Sequence, residues 1–456
     1  MSKTAKTAAS RMISQRARPE ILAMPGYMSA RSIEQSDAGM IFLDANECAF
    51  EPFIGARHLS RYPAQQPVDL QDAICRWLDV SKRQITITRG ADEAIDCLMR
   101  AFCVPAQDNI VICTPTFAMY AQSAILQGAE VRRAPLDKNF DLNLKAIEQY
   151  SDKNTKIIFV CSPNNPTANL MKRSRILQLC ADYADMALVV VDETYVEFAA
   201  SDSMIPSLDD CPNLVILRTL SKSHAAAGLR CGVAVARPDV TALMQKVLAP
   251  YPLPQPVIDA ALTILSPDTQ AFLAKKRDDI IARRDQLVAQ LAANPDIVQV
   301  LPTDANYLLL KVKDAADLCE RCRKSGIILR NQSHQPGLDN AVRVSIGSAE
   351  EIQAFLAVLN GEALPARAAQ RINTVIRKTN ETAISVRVNL DAVAPVRINT
   401  GIGFYDHMLD QIAKHGGVLL ENDCQGDFYI DPPHSVEGCS IALGQAIPPA
   451  GGDKRG

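Results

Sequence analysis

Between residues 85 and 235, continuous apolar runs alternate with helical patterns, and few folds accommodate that order. "ITITRG" leads into "ADEAIDCLMRAF", in which Ala91, Ala94, Ile95, Leu98 and Phe102 recur at helical spacing. "NIVICTPTF", "KIIFVCSPNNPT", "ALVVVDETY" and "NLVILRTLSK" follow. A strand with water on one face alternates apolar and polar residues; these do not. Continuous apolar strands separated by helices predict a mostly parallel sheet covered on both faces, an α/β domain.

In an open parallel sheet, ligands bind at the carboxyl ends of the strands. Here each apolar run is followed at once by polar or special residues: Gly90-Ala91-Asp92, Thr116-Phe117, Asn164-Asn165-Pro166-Thr167, Asp192 with Tyr195, and Thr219-Ser221-Lys222. Any one of these alone reads as a turn or a helix cap. Five at successive strand ends, brought to one rim by the sheet, point to a ligand site. "RGADE" opens a helix after a glycine turn, and its free N–H groups and dipole suit a phosphate. Thr219, Ser221 and Arg230 supply further phosphate donors. A lone lysine is ordinarily a solvated surface residue. Lys222, set among cationic and dipolar groups, is instead placed to lose its proton, attack a carbonyl and form a Schiff base. Asp192 would keep a heteroaromatic nitrogen protonated, Asn165 and Tyr195 would bond a ring oxygen, and Phe117 would stack on the ring. A phosphate, a carbonyl, a ring nitrogen with an acidic partner and a ring hydroxyl together describe pyridoxal 5′-phosphate.

The 456 residues predict two or three domains. A net charge of −3 gives no electrostatic argument for nucleic acid or an anionic membrane. No apolar run approaches the roughly 20 residues needed to span a bilayer. The 13 scattered cysteines, without a secretory signal, read as reduced thiols of a cytoplasmic protein. Residues 1–17 read as a basic tail, with an organellar transit peptide as the alternative. The main body spans 18–360. A large domain covers about 50–265, and a smaller α+β domain combines the N-terminal segment with about 266–360, where "AKKRDDIIARRDQLVAQLAA" is a charged amphipathic helix and "ANYLLLKV" and "AVRVSIG" are strands. Residues 361–370 read as a linker, and alternating strand restarts at "NTVIRKTNETAISVRVNL".

The order Asn-Pro-Thr, Asp-x-x-Tyr, Ser-Lys, Arg resembles the fold-type I pyridoxal-phosphate aminotransferases, and within them the histidinol-phosphate aminotransferases. "RPEILAMPGYMSAR", "LDANE", "RYPAQQP", "RGADE", "PTFAMY", "CSPNNPT", "DETYVEF", "LRTLSKSHAAAGLRCG", "GIILRNQ" and "VRVSIG" resemble that family's blocks, in its order, across residues 18–358. The resemblance implies transamination between L-histidinol phosphate and 2-oxoglutarate in histidine biosynthesis. It makes Lys222 the cofactor's lysine and proton carrier, Asp192 the partner of the pyridine nitrogen, and Asn165 and Tyr195 partners of the 3-hydroxyl. Phe117 becomes the stacking ring, and Ala91, Asp92, Thr219, Ser221 and Arg230 the phosphate cradle. It implies that Tyr62 reaches the neighbouring subunit's phosphate in a homodimer, and that Tyr27, Asn46, Arg330 and Arg343 handle substrate. An aminotransferase acting on aromatic amino acids is the alternative. The sequence departs from the family at Ala168, where glycine is usual, at Thr194, where alanine is usual, and at Ser223-His224 after the lysine.

Residues 371–456 resemble the N-terminal part of imidazoleglycerol-phosphate dehydratase, a manganese enzyme, through "TGIGFYDHMLDQIAKHGG" and "GDFYID". Pro433 stands where that family has a histidine and Gly438 where it has an aspartate. The His434/Glu437 spacing fits one helix face, whereas His407 and His415 lie roughly 80° apart around an ideal helix. A truncated α+β fragment is expected here, only partly folded, holding no metal and inactive as a dehydratase. A working bifunctional enzyme is the alternative.

Overall fold

The computed structural model describes residues 13–25, 45–52, 59–199, 203–362, 364, 371–379, 382–392, 396–426 and 433–451. The chain divides into two compact units, Met1–Ala363 and Leu364–Gly456.

The first unit is built on a seven-stranded sheet of β1 (Ile85–Thr88), β2 (Asn109–Thr114), β3 (Glu130–Pro135), β4 (Thr155–Cys161), β5 (Leu188–Asp192), β6 (Leu214–Thr219) and β7 (Gly232–Ala236). Their spatial order is β1-β7-β6-β5-β4-β2-β3, parallel except that β7 runs antiparallel to both its neighbours. Successive side chains of a strand point to opposite faces, so an all-apolar strand feeds two cores. Ile158 and Val160 of β4 enter one, with Leu70 and Ile74 of helix α2 (Val68–Leu78). Ile157 and Phe159 enter the other, with Ile95 and Leu98 of α3 (Ala91–Phe102) and Leu243 of α7 (Pro238–Val247). Between these helices lie α4 (Met119–Gln127), α5 (Leu144–Tyr150) and α6 (Arg173–Asp182).

The N-terminal residues differ from expectation twice. Ile13, Ala17 and Ile21 recur every four residues, and all three are buried in the second of these cores, so the basic tail does not extend to residue 17. The chain turns between residues 15 and 18, so the three share no single helical face; their burial against this core wins over the local positive charge. The short helix α1 (Pro19–Ala23) therefore joins the large domain. Arg18 N–H donates to Ala101 O at 2.9 Å, and Lys246 Nζ donates to Ile21 O at 3.0 Å.

Helices α8 (Gln255–Ile264) and α9 (Pro267–Leu291) lead into an antiparallel sheet of β8 (Ile297–Val300), β9 (Tyr307–Val312), β10 (Arg330–Asn331) and β11 (Ala341–Ser345), ordered β10-β11-β9-β8. Leu308 and Leu310 of β9 pack with Leu318 of α10 (Ala315–Lys324) and with Ile352 and Phe355 of α11 (Ala349–Leu359). All 13 cysteines are free; the scatter includes one Cys-x-x-Cys pair, Cys319 and Cys322, inside α10.

The second unit is better folded than expected. β12 (Ile372–Lys378), β13 (Thr382–Asn389), β14 (Val396–Asn399) and β15 (Leu419–Gly426) form a sheet ordered β12-β13-β15-β14, with helices α12 (Gly403–Gly416) and α13 (Pro433–Gly451). Alternate residues of β13, Ile384, Val386 and Val388, pack with Leu409 and Ala413 of α12 and Cys439 and Ala442 of α13. Period-two alternation needs cover on one face only, and two helices provide it.

Candidate active site

A cavity of about 440 Å³ lies at the carboxyl ends of β4, β5 and β6. Its lining includes Ala91, Asp92, Phe117, Asn165, Asp192, Tyr195, Thr219, Ser221, Lys222, Arg230, Arg330 and Arg343. Asn46, whose φ is +56°, and Tyr62 do not line it, and Tyr27 lies outside the described residues. Tyr62 is 50 % exposed and stacks on Tyr251 at 4.4 Å between ring centroids.

At one pole the geometry is that of an anion cradle. Gly90 has φ +79° and starts α3 with no side-chain cap, leaving first-turn N–H groups free at the positive end of a 12-residue helix. A Cβ on Gly90 would sit 2.6 Å from Arg230 Nη2, and one on Gly232 would sit 2.6 Å from Gly90 C. Only glycine lets the two backbones and the guanidinium close together here. Thr219 Oγ1 lies 2.9 Å from Ser221 Oγ, Arg230 Nη1 lies 3.4 Å from Ser221 Oγ, and Arg230 Nη2 donates to Asp92 Oδ2 at 2.9 Å.

Asp192, at the end of β5, is 3 % exposed. Its Oδ2 accepts from Tyr120 Oη at 2.7 Å, and its Oδ1 accepts from Thr194 N–H at 3.0 Å and Thr194 Oγ1 at 2.6 Å. Burial raises its pKa above the ordinary carboxylate value, while Thr194 and Tyr120 pull it back by bonding the ionised form. Burial and the Asp192 charge push the Tyr120 phenol well up, so it remains a donor. Phe117 meets Tyr120 edge-on at 5.6 Å.

Lys222 opens onto the cavity and keeps an exposed side chain, with protein packed around part of it. That partial burial, followed by the charges of Arg343 and Arg230, holds its pKa below that of a free lysine. A lysine so placed is more nucleophilic near neutrality than a solvated one. His224, two residues on, points elsewhere. It is 2 % exposed, meets Trp77 edge-on at 4.9 Å, and lies 2.9 Å through Nδ1 from Ser223 Oγ.

The opposite wall comes from the smaller sheet. Arg330 and Arg343 are Cα partners in register on β10 and β11, and neither has a carboxylate partner among the described residues. Arg343 Nη1 donates to Asn165 Oδ1 at 2.6 Å and its guanidinium lies 5.5 Å from the Tyr307 ring. Tyr307 Oη in turn donates to Asn164 O at 2.6 Å and meets Tyr195 edge-on, tying the two walls together. The sequence reading missed Tyr120, the bonding role of Thr194, Tyr307, and the lining residues Gln332, His334 and Gln335. Tyr120 had a signal, since it falls one helical turn after Phe117 in "PTFAMY".

In the second unit, His434 and Glu437 are exposed on α13 and His407 and His415 on α12. Among the described residues no group of three or more His, Cys, Asp or Glu is placed to hold a metal ion. A Cβ on Gly438 would meet Ile384 Cδ1 at 2.6 Å.

A glycine-built anion cradle, a lysine of lowered pKa and a buried carboxylate with hydrogen bonds on both oxygens fit pyridoxal 5′-phosphate. On the sheet described above they define a fold-type I pyridoxal-phosphate aminotransferase. The chain belongs to the aminotransferase class I and II family, whose model matches residues 45–359. Within it the chain is a transaminase of the histidinol-phosphate aminotransferase kind. It is 40 % identical over 349 residues to histidinol-phosphate aminotransferase 2 of Mannheimia succiniciproducens, covering 76 % of this chain and 99 % of the relative. It is 41 % identical over 349 residues to the histidinol-phosphate aminotransferase of Pectobacterium carotovorum, covering 76 % and 97 %. Among solved structures, the histidinol-phosphate aminotransferase of Clostridium acetobutylicum superposes with a TM-score of 0.61 at 22 % identity, covering 67 % of this chain and 91 % of that one. That of Sinorhizobium meliloti, in complex with pyridoxal-5′-phosphate, gives 0.59 at 22 %, covering 66 % and 84 %. Residues 400–456 match the imidazoleglycerol-phosphate dehydratase model. Among the described residues no helix is long and apolar enough to cross a membrane.

Proposed function

We propose that the chain exchanges the amino group of L-histidinol phosphate with 2-oxoglutarate, giving imidazole-acetol phosphate and glutamate. One observation carries the substrate class. Like charges directly opposite on paired strands destabilise a sheet. Arg330 and Arg343 are so placed, without a carboxylate partner among the described residues, on the wall of the cavity that holds Lys222. Two forked guanidiniums suit a phosphate, and equally a carboxylate of the second substrate. The relatives, themselves histidinol-phosphate aminotransferases, support the same substrate.

When bound, the cofactor supplies an electron sink conjugated to the amino-bearing carbon. Asp192 holds the ring nitrogen's proton, with Tyr120 and Thr194 fixing the carboxylate. The α3 N-terminus, Thr219, Ser221 and Arg230 hold the cofactor phosphate, Asn165 and Tyr195 its ring oxygen, and Phe117 its face. Lys222 Nζ would carry the proton between the substrate's α carbon and the cofactor, a transfer favoured by its lowered pKa. Asn46 and Tyr27 belong to the substrate set by resemblance alone. We place the protein in the cytoplasm as a homodimer. Its 13 free thiols support the compartment, and the exposed Tyr62–Tyr251 stack supports a surface that reaches a neighbouring subunit.

The C-terminal unit is proposed to lack dehydratase activity. Pro433 opens α13 where the resembled family has a ligand histidine, and Gly438 lies too close to Ile384 for an aspartate to replace it without movement. The test is glutamate formation from 2-oxoglutarate by the purified holoenzyme, with L-histidinol phosphate and L-phenylalanine as competing donors. Preferential use of the phosphate ester is expected; preference for phenylalanine would move the assignment to aromatic amino acids.

A further inference from the structure

Beside the two arginines, the turn after β10 builds a different kind of contact. Gln332 is 3 % exposed, and its Oε1 accepts from Gln335 Nε2 at 2.9 Å. The backbone fixes this turn. Gln332 N–H donates to Ala341 O at 2.8 Å, Gln335 N–H to Gln332 O at 3.0 Å, and Leu338 N–H to Gln335 O at 3.1 Å, with Leu338 fully buried beneath. A primary amide carries an acceptor oxygen and a two-hydrogen donor nitrogen. The bond between the two amides engages Gln332 Oε1 and one hydrogen of Gln335. Gln332 Nε2 and Gln335 Oε1 make no hydrogen bond among the described residues, and both side chains line the cavity that holds Lys222.

A donor and an acceptor held in one rigid pair fit a neutral ring that is itself both. Neutral imidazole is such a ring, since one nitrogen donates and the other accepts. The guanidiniums beside it can only donate, so they favour the anionic end of a ligand and cannot accept from the ring's N–H. We propose that the Gln332–Gln335 amide pair is the subsite that reads the substrate's imidazole, while Arg330 and Arg343 take its phosphate. This rests on the phosphate-ester reading given above. A site built to hydrogen-bond a ligand group rejects an analogue without it, because the site's own polar atoms are then left unpaired.

The test compares L-histidinol phosphate with L-phenylalaninol phosphate, which keeps the amino alcohol phosphate and replaces the ring. Both kcat/KM and the dissociation constant by calorimetry are measured for the full-length holoenzyme and for Gln335→Met and Gln332→Met, which keep length and remove the amide. The unsubstituted protein should favour the imidazole compound by roughly tenfold or more, and each variant should lose roughly tenfold of that preference. The loss should fall on the imidazole compound, with the phenyl compound changed by less than about twofold. Gln335 is partly exposed, so its variant decides the matter if the buried Gln332→Met does not fold. A preference that survives in Gln335→Met, or none in the unsubstituted protein, overturns the amide-pair subsite and leaves the phosphate-ester reading standing. Failure to bind or turn over either phosphate overturns both.

Discussion

Tyr120 Oη donates a 2.7 Å hydrogen bond to Asp192 Oδ2, joining two residues 72 positions apart behind the cofactor site. A carboxylate buried this deeply needs partners that favour its charged form. Tyr120 acts as a positioning residue, stacked on Phe159 at 4.6 Å. Tyr120→Phe keeps that ring and removes only the donor. Hydrogen bonds to charged groups contribute about 1.5–3 kcal/mol, so the cofactor's dissociation constant should rise roughly tenfold to hundredfold. Equilibrium titration of cofactor-free protein checks this, and an unchanged constant would contradict it. Thr194→Ala should act in the same direction, because Thr194 gives Oδ1 two bonds.

Arg330 and Arg343 should each matter to KM more than to kcat. Removing either guanidinium by substitution with alanine should raise the KM for L-histidinol phosphate roughly tenfold to hundredfold. Lysine at the same positions should recover only part, since an ammonium cannot form the two parallel bonds. Steady-state kinetics at fixed ionic strength read both effects, and an unaltered KM in either alanine variant would remove that residue from the substrate site.

His224 links acid stability to the packing behind Lys222. Burial, with the Arg277 and Arg218 charges adding to it and Glu197 opposing, pulls its pKa from 6.5 down to about 4. The unfolded chain therefore binds a proton below pH 6.5 that the folded chain refuses until about pH 4. Stability from this residue is complete above pH 6.5 and falls as pH drops through that window, by about 2 kcal/mol at pH 5. His224→Asn should lose this pH dependence. Urea unfolding at pH 7 and pH 5 measures it, and equal slopes in both proteins would refute the assignment.

In the C-terminal unit, Gly438→Asp should destabilise rather than restore function. The new Cβ meets Ile384 Cδ1 at 2.6 Å, and the carboxylate would enter a buried position. Overpacking alone costs about 1–3 kcal/mol. Faster amide hydrogen exchange along β13 is the expected sign, and unchanged protection would show that Ile384 moves aside freely. The full-length protein supplied with manganese should not dehydrate imidazoleglycerol phosphate.

The strands whose interiors are apolar on both faces were legible, because burial on both sides leaves no polar residue to blur them. β3 and β7 were not. "EVRRAP" is an edge strand with only Ala134 buried, and "GVAVA" is a short run opened by a glycine, Gly232, which β7 needs where it passes against Gly90. Residues at the carboxyl ends of the legible strands meet in one cavity because a parallel sheet aligns those ends. What could not be read were bonds between distant elements: Tyr120 to Asp192, Arg343 to Asn165, and Tyr307 to Asn164. Such pairs carry no local spacing. The N-terminal segment misled because its charges are conspicuous, while its buried residues Ile13, Ala17 and Ile21 are few and spread across a turn. The second unit misled because a sheet needs cover on one face, and α12 with α13 supply it.

The most direct measurement is the visible absorption of the holoenzyme as L-histidinol phosphate and then 2-oxoglutarate are added, with Lys222→Ala alongside. The cofactor band should bleach with the first addition and return with the second, and Lys222→Ala should show neither change at a comparable rate. A band that L-histidinol phosphate leaves untouched, or a Lys222→Ala protein that cycles as fast as the unsubstituted one, would contradict Lys222 as the proton carrier of this transamination.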